Sequence, residues 1–427
     1  MSAKIEKIKE IANRLSDYKY VLKIADSPDN RQNMMGDFIS VYGEPTLSHG
    51  LPAICMLYSE LYYQNPDEGW DFKAHEYLKM LQKNMENGEV SDLSMFSGYA
   101  GIGLTVNCLS KNGERYSKLK QHINNMIRDN MDDYLKELYG SEYSFMRDYD
   151  VISGLSGILS YTILESDLAD VNKSIGEYLV FRCKSIQYKN IKIHGLYIPK
   201  DNQFLEQDRE NYPEGNYNLG LSHGIPGVLI ALCMLKKHKY KIEFLDEAIE
   251  SCATLLYKYI SKEEKRWIGF LSMEDYLEGE VNDSRTRDAW CYGSPGVSYA
   301  LCVAGKLLQN EEYCNLAIAV MKNMIGNIKG LFSPSFCHGY IGVAYIYWRL
   351  YEITGMSDFK EYAEILSDKV WEFYSEEHPF GFEDIEAESV TQQVGLLSGV
   401  SGIMLPLLAM EGYRNTNWSN AFMLGEL

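Results

Sequence analysis

The chain has no basic run, no apolar segment of membrane-spanning length, no short paired-cysteine motif and no low-complexity linker. Each absence removes a class of protein. Its 41 Lys and Arg stand against 60 Asp and Glu, a net charge of −19, so nucleic acid is a poor partner. The most apolar stretch, Leu396 to Met410, is too short and too rich in Gly and Ser to span a bilayer. Nine cysteines, an odd number, are scattered through apolar runs such as Ala53 to Leu57. That excludes a dense secreted disulfide framework and points to a reducing compartment. The first residues, MSAKIEKIKEIANRL, spell an amphipathic helix and not a signal peptide.

What the chain does have is hydrophobic mass and repetition. Its 427 residues, 46% of them hydrophobic, suffice for a large core. Its 34 glycines and 33 tyrosines suggest tight helix packing around an aromatic cavity. One phrase recurs seven times: SHGLPA at 48–53, SGYAG at 97–101, SGLSG at 153–157, SHGIPG at 222–227, YGSPG at 292–296, HGYIG at 338–342 and SGVSG at 398–402. Six copies keep Gly-x-x-Gly, and Ala53 replaces the second glycine in the first. Successive first glycines are 48, 56, 70, 69, 46 and 60 residues apart.

Each phrase leads into an apolar run of helical character that reads as a buried helix. More polar amphipathic helices are expected between them, at Phe244–Ile260, Glu311–Ile325 and Asp358–Tyr374. Glycine at the phrase permits positive φ and close backbone approach. Seven helical hairpins whose last copy is as apolar as the middle ones favour a closed ring over an open solenoid, which needs polar caps. The expected fold is therefore all-α, a seven-repeat α/α toroid spanning 1–427. The stretch 186–220 alternates partly at Ile191 to Ile198 and reads as a small β-containing insertion. The other long gap, 261–285, is charged and reads as loop.

Chemistry is sought where the phrases depart from one another. One position before the first glycine stand His49, Ser97, Ser153, His223, Tyr292, His338 and Ser398; two before it stand Ser48, Phe96, Ile152, Ser222, Cys291, Cys337 and Leu397. Cys291, Cys337 and His338 are two thiols and an imidazole at equivalent places in adjacent repeats. They suit Zn²⁺ and leave its fourth tetrahedral position open. His223 and His49 share one local spelling; His223 is favoured because it precedes the candidate metal loops. Asp150 can orient a histidine or move a proton, whereas Asp148 reads as a solvated acid flanking a helix. Arg287 can stabilise an oxyanion, though it sits in a charged run typical of a surface.

WCYGSPG at 290–296, CHG at 337–339, SHGIPG at 222–227 and the ordered glycine phrases together resemble the lanthionine synthetase C-like family, in particular its free-standing lantibiotic cyclases of the nisin cyclase type. The resemblance covers nearly the whole chain and implies an α/α toroid with zinc at its mouth and a small SH2-like insertion at 186–220. It implies Cys291, Cys337 and His338 as zinc ligands, His223 and Asp150 as acid/base groups, and Arg287 and Tyr292 as residues lining the site. The implied reaction is addition of a peptide Cys thiol to dehydroalanine or dehydrobutyrine in a dehydrated precursor with a leader. Implied partners are a dehydratase and a peptide transporter, with a cytoplasmic location at the membrane face.

Three alternatives stay open on the sequence. A zinc toroid of the protein prenyltransferase kind would need a diphosphate site, and no Lys/Arg cluster marks the loops. A non-catalytic peptide- or thiol-binding scaffold would not need the intact metal residues. A toroidal glycosidase would need paired carboxylates, where the loops offer mainly Asp150.

Overall fold

A computed structural model describes residues 3–34, 36–282, 287–386 and 388–426. All seven phrases start helices, at Leu51–Gln64, Tyr99–Leu109, Leu155–Thr162, Ile225–Lys237, Ser294–Leu308, Tyr340–Thr354 and Val400–Met410. The first glycine of each phrase is the N-cap residue, and none supplies a side-chain cap. These helices are buried nearly all round; Ile225 through Leu235 are covered without a break. The intervening helices bury one stripe, as Leu245, Ala248, Ile249, Cys252 and Leu256 do on Leu245–Lys258. The expected polar helices are found at Leu245–Lys258, Glu311–Met324 and Ser357–Trp371. The amphipathic start forms the helix Ala3–Arg14.

The glycines are required by crowding more than by torsion. Six of the seven capping glycines have extended backbone that any residue adopts; Gly293, with φ +99°, is the exception. A Cβ at Gly98, Gly224, Gly293 or Gly339 would strike the carbonyl oxygen six residues upstream, on Asp92, Asn218, Arg287 or Ser333. Some second glycines repeat this: Gly101 lies under the Met95 carbonyl and Gly402 under that of Leu396. At these glycines the loop is folded back over its own helix start, and the contact leaves no room for a side chain.

The chain divides into two compact units, Met1–Ile123 with Leu331–Trp418, and Asn124–Gly330 with Ser419–Leu427. In the first, helix Leu51–Gln64 packs between Tyr99–Leu109 and Val400–Met410, and Val400–Met410 packs on Tyr340–Thr354. The last repeat therefore meets the first. In the second, Ile225–Lys237 packs between Leu155–Thr162 and Ser294–Leu308. Backbone hydrogen bonds stitch neighbouring phrase loops together. In the first unit Cys337 N donates to Leu397 O at 2.9 Å, Leu397 N to Ser48 O at 3.4 Å and Ser48 N to Phe96 O at 3.1 Å. In the second, Val151 N donates to Ser222 O at 2.9 Å and Ser222 N to Cys291 O at 3.3 Å. Apart from Val151, every bonded residue stands two before its glycine, so the register read from sequence is also a spatial register.

Among the described residues, four two-stranded antiparallel sheets decorate the helices. Ile186–Tyr188 pairs with Ile191–Ile193, within the expected insertion. Asn216–Asn218 pairs with Phe270–Ser272, so the stretch read as loop supplies a strand and then the helix Met273–Glu278. Residues 283–286 lie outside the described residues. Two hairpins have no counterpart in the sequence reading: Arg31–Met34 with Asp37–Ser40, and Asp384–Glu386 with Ser389–Thr391. Many tyrosines belong to the core; Tyr58, Tyr149, Tyr161, Tyr178, Tyr217 and Tyr299 are fully buried.

Replacing Gly293 by Ala meets both the Arg287 carbonyl and an unfavourable φ, and is expected to cost about 3 kcal/mol or more. Gly326 has φ +74° but open space around it, so Gly326→Ala is expected to cost about 1 kcal/mol. Urea unfolding of the two variants checks the ranking.

Candidate active site

Asp150 ends the short helix Met146–Tyr149 and sits four residues before Gly154. Its Oδ1 accepts the backbone N–H groups of Ser153 and Gly154, both at 2.7 Å, which closes the third phrase loop. Its Oδ2 lies 2.5 Å from His223 Nδ1. An ionised carboxylate only accepts hydrogen bonds, so Nδ1 carries the proton and Nε2 is left to exchange one. The Asp150 side chain is 1% exposed and that of His223 27%, so the imidazole is the part that solvent or substrate can reach.

Asp148 is not the solvated acid its place in the sequence suggests. It is buried, and its Oδ2 accepts the Phe145 N–H at 2.8 Å, capping the same short helix. Burial raises its pKa to about 6, against the pull of the Phe145 N–H and of Arg182 and Arg147.

Tyr292 leans beside His223, with ring centroids 6.2 Å apart. Its hydroxyl accepts from Asn218 Nδ2 at 3.1 Å, and burial pushes the phenol pKa well up. Gly220 and Gly269 make room for it, since a Cβ on either would press on the Tyr292 ring. Cys291 is 7% exposed, and its carbonyl accepts from Ser222 N and Ser222 Oγ. The loop around it is braced on both sides. Buried Asp288 pairs with Arg266 at 3.2 Å, and Trp290 Nε1 donates to Phe422 O at 3.0 Å. Arg287 is half-buried and places its carbonyl over Gly293.

In the other unit Cys337 is half-buried and His338 is 7% exposed. His338 Nε2 lies 2.9 Å from Asp384 Oδ1 and 3.3 Å from Glu386 Oε2. His49, which shares its spelling with His223, has an amide partner instead: Nδ1 lies 3.3 Å from Gln393 Oε1. Burial lowers the pKa of His49, against the smaller effects of Gln393 and Asp384. The two histidines are thus distinguished by their partners, a carboxylate for His223 and a carboxamide for His49.

The structure brings His223, Asp150 and Tyr292 together, and their unit also holds Cys291 and Arg287. Cys337 and His338 belong to the other unit. Among the described residues no three or more His, Cys, Asp or Glu side chains are gathered as a metal site. A surface groove of about 980 Å³, lined by Lys236, Tyr240, Phe244, Glu247 and Glu250, contains none of the candidates. Asp384, Glu386, Gln393 and Asn218 escaped sequence reasoning; each lies outside the phrases.

Residues 42–423 match the family described as lanthionine synthetase C-like protein, and the chain belongs to it. It is 30% identical over 391 residues to the nisin biosynthesis protein NisC of Lactococcus lactis subsp. lactis, covering 90% of each chain. Among solved structures, nisin cyclase superposes with a TM-score of 0.82 at 26% identity, over 99% of this chain and 98% of that one. The fold class is accordingly all-α, an α/α toroid.

An Asp150→Asn side chain would use its oxygen for the backbone N–H groups and turn its amide toward His223. The proton is then expected to move from Nδ1 to Nε2, which ¹⁵N NMR of the imidazole reads directly. For Asp148 the folded pKa of about 6 lies above the unfolded value, so stability falls as pH rises from about 4 to 6 and stays lower above that. Asp148→Asn is expected to be more stable than wild type by up to about 3 kcal/mol at pH 8 and equal to it near pH 4, by urea unfolding at both pH values.

Proposed function

We propose that the protein closes thioether rings in a dehydrated precursor peptide, with zinc as its cofactor. As a member of the lanthionine synthetase C-like family it is a lanthionine-forming cyclase. On this reading a partner dehydratase first converts Ser or Thr of a leader-bearing peptide to dehydroalanine or dehydrobutyrine. The S–H of a Cys in the same peptide then adds across the alkene. Sulfur bonds to the β-carbon, the resulting enolate takes a proton at Cα, and no group leaves.

What chiefly supports the reading is the His223–Asp150 pair. Both Asp150 oxygens are engaged, one by the backbone and one by the imidazole. Asp150 therefore acts as the positioning residue, and His223 Nε2 as the group that delivers or takes the proton. Arg287 is the cation assigned to the enolate oxygen, and Tyr292 lines the same side. Cys291, Cys337 and His338 fit zinc in donor chemistry. The two cysteines also hold the same backbone position in their loops, two before the glycine. When bound, zinc acidifies and fixes a substrate thiol at its open position. Ionising a thiol of pKa about 8.5 at pH 7 costs only about 2 kcal/mol, so holding sulfur and alkene together matters as much.

Among the described residues no helix is long and apolar enough to cross a membrane. A place at the cytoplasmic membrane face would then come from association with the dehydratase and a peptide transporter.

Incubation with a dehydrated precursor, followed by thiol alkylation and mass spectrometry, tests the reading. Wild type is expected to remove one alkylatable thiol per ring with no change in peptide mass. His223→Asn is expected to slow this about 10²-fold or more, and Cys291→Ala and Cys337→Ala to lose zinc. Persistence of every thiol with wild type would reject cyclase activity; full zinc in both cysteine variants would reject the ligand assignment. Mass gain with an isoprenoid diphosphate would favour the prenyltransferase alternative.

A further inference from the structure

We infer that Asp384 is a positioning residue for His338, and that Gln393 braces it; this rests on the zinc reading above. The hairpin Asp384–Glu386 with Ser389–Thr391 precedes the seventh phrase, yet it serves the sixth. Asp384 is buried and receives three hydrogen bonds. Ser333 Oγ donates to its Oδ1 at 2.7 Å, His338 Nε2 lies 2.9 Å from the same oxygen, and Gln393 Nε2 donates to Oδ2 at 3.2 Å. Gln393 is 2% exposed and is fixed in turn: its Nε2 also donates to Thr391 Oγ1 at 2.9 Å, and its Oε1 lies 3.3 Å from His49 Nδ1. Glu386 Oε2, 3.3 Å from His338 Nε2, adds a second acceptor on the same side of the ring.

A buried carboxylate met by hydroxyl, amide and imidazole donors is a fixed acceptor. It holds the proton of His338 on Nε2, so Nδ1 is the nitrogen with a lone pair for a metal. The chain from His338 through Asp384 and Gln393 to His49 sets both the tautomer and the ring orientation before any metal arrives. It also gives His49 a place distinct from that of His223, at the far end of a brace.

Asp384→Asn keeps the shape but cannot accept from Ser333, His338 and Gln393 at once. Its zinc affinity, measured by chelator competition on the full chain, is expected to fall about 10- to 100-fold. The visible absorption of the cobalt-substituted protein is expected to change, while the metal-free variant keeps the far-UV circular dichroism of folded wild type. Gln393→Leu leaves the carboxylate and removes one brace, and a fall of several-fold is expected. Zinc affinity of Asp384→Asn within threefold of wild type overturns the inference. If that variant does not fold, a folded Gln393→Leu protein with wild-type affinity and cobalt spectrum overturns it. A wild type that holds no zinc removes the zinc reading as well, which separates the two failures.

Discussion

The contact on which everything else depends is a backbone carbonyl laid across a glycine at the start of a helix. At Gly98, Gly224, Gly293 and Gly339 the carbonyl comes from six residues upstream. It forces the preceding loop to double back over the helix end and present its residues just before the cap. Because neighbouring loops hydrogen-bond to one another at that level, their backbone groups are satisfied where they meet, and the side chains there are available for chemistry. The candidate residues sit at this edge because it is the place where the repeat tolerates variation.

The same geometry explains what was legible in the sequence. Gly-x-x-Gly followed by an apolar run is a local signal, and every phrase so read begins a helix. The polar helices between them were legible from their stripe. Torsion was the wrong reason for most of the glycines, since only Gly293 among the seven caps has positive φ. Crowding by a distant carbonyl leaves the same letter in the sequence as a left-handed turn.

What was not legible depends on partners far along the chain. The strand Phe270–Ser272 has three residues, and its partner Asn216–Asn218 lies more than fifty positions earlier. Asp148 and Asp150 differ by two positions in a run of alternating acids, yet one caps a helix and the other holds an imidazole. His49 and His223 carry one spelling and differ only in what faces them, Gln393 in one case and Asp150 in the other. Asp384 has no motif at all; its meaning comes from lying against His338, 46 positions earlier.

The stitched loops carry an evolutionary consequence. Within the unit that holds Cys337, the places equivalent to it are filled by Leu397, Ser48 and Phe96, an aliphatic, a hydroxyl and an aromatic side chain on one backbone pattern. The scaffold does not read the identity of that residue, because its main-chain bonds are made whatever the side chain. The residue at this position can therefore be exchanged by point substitution in any repeat, with the architecture beneath it unchanged.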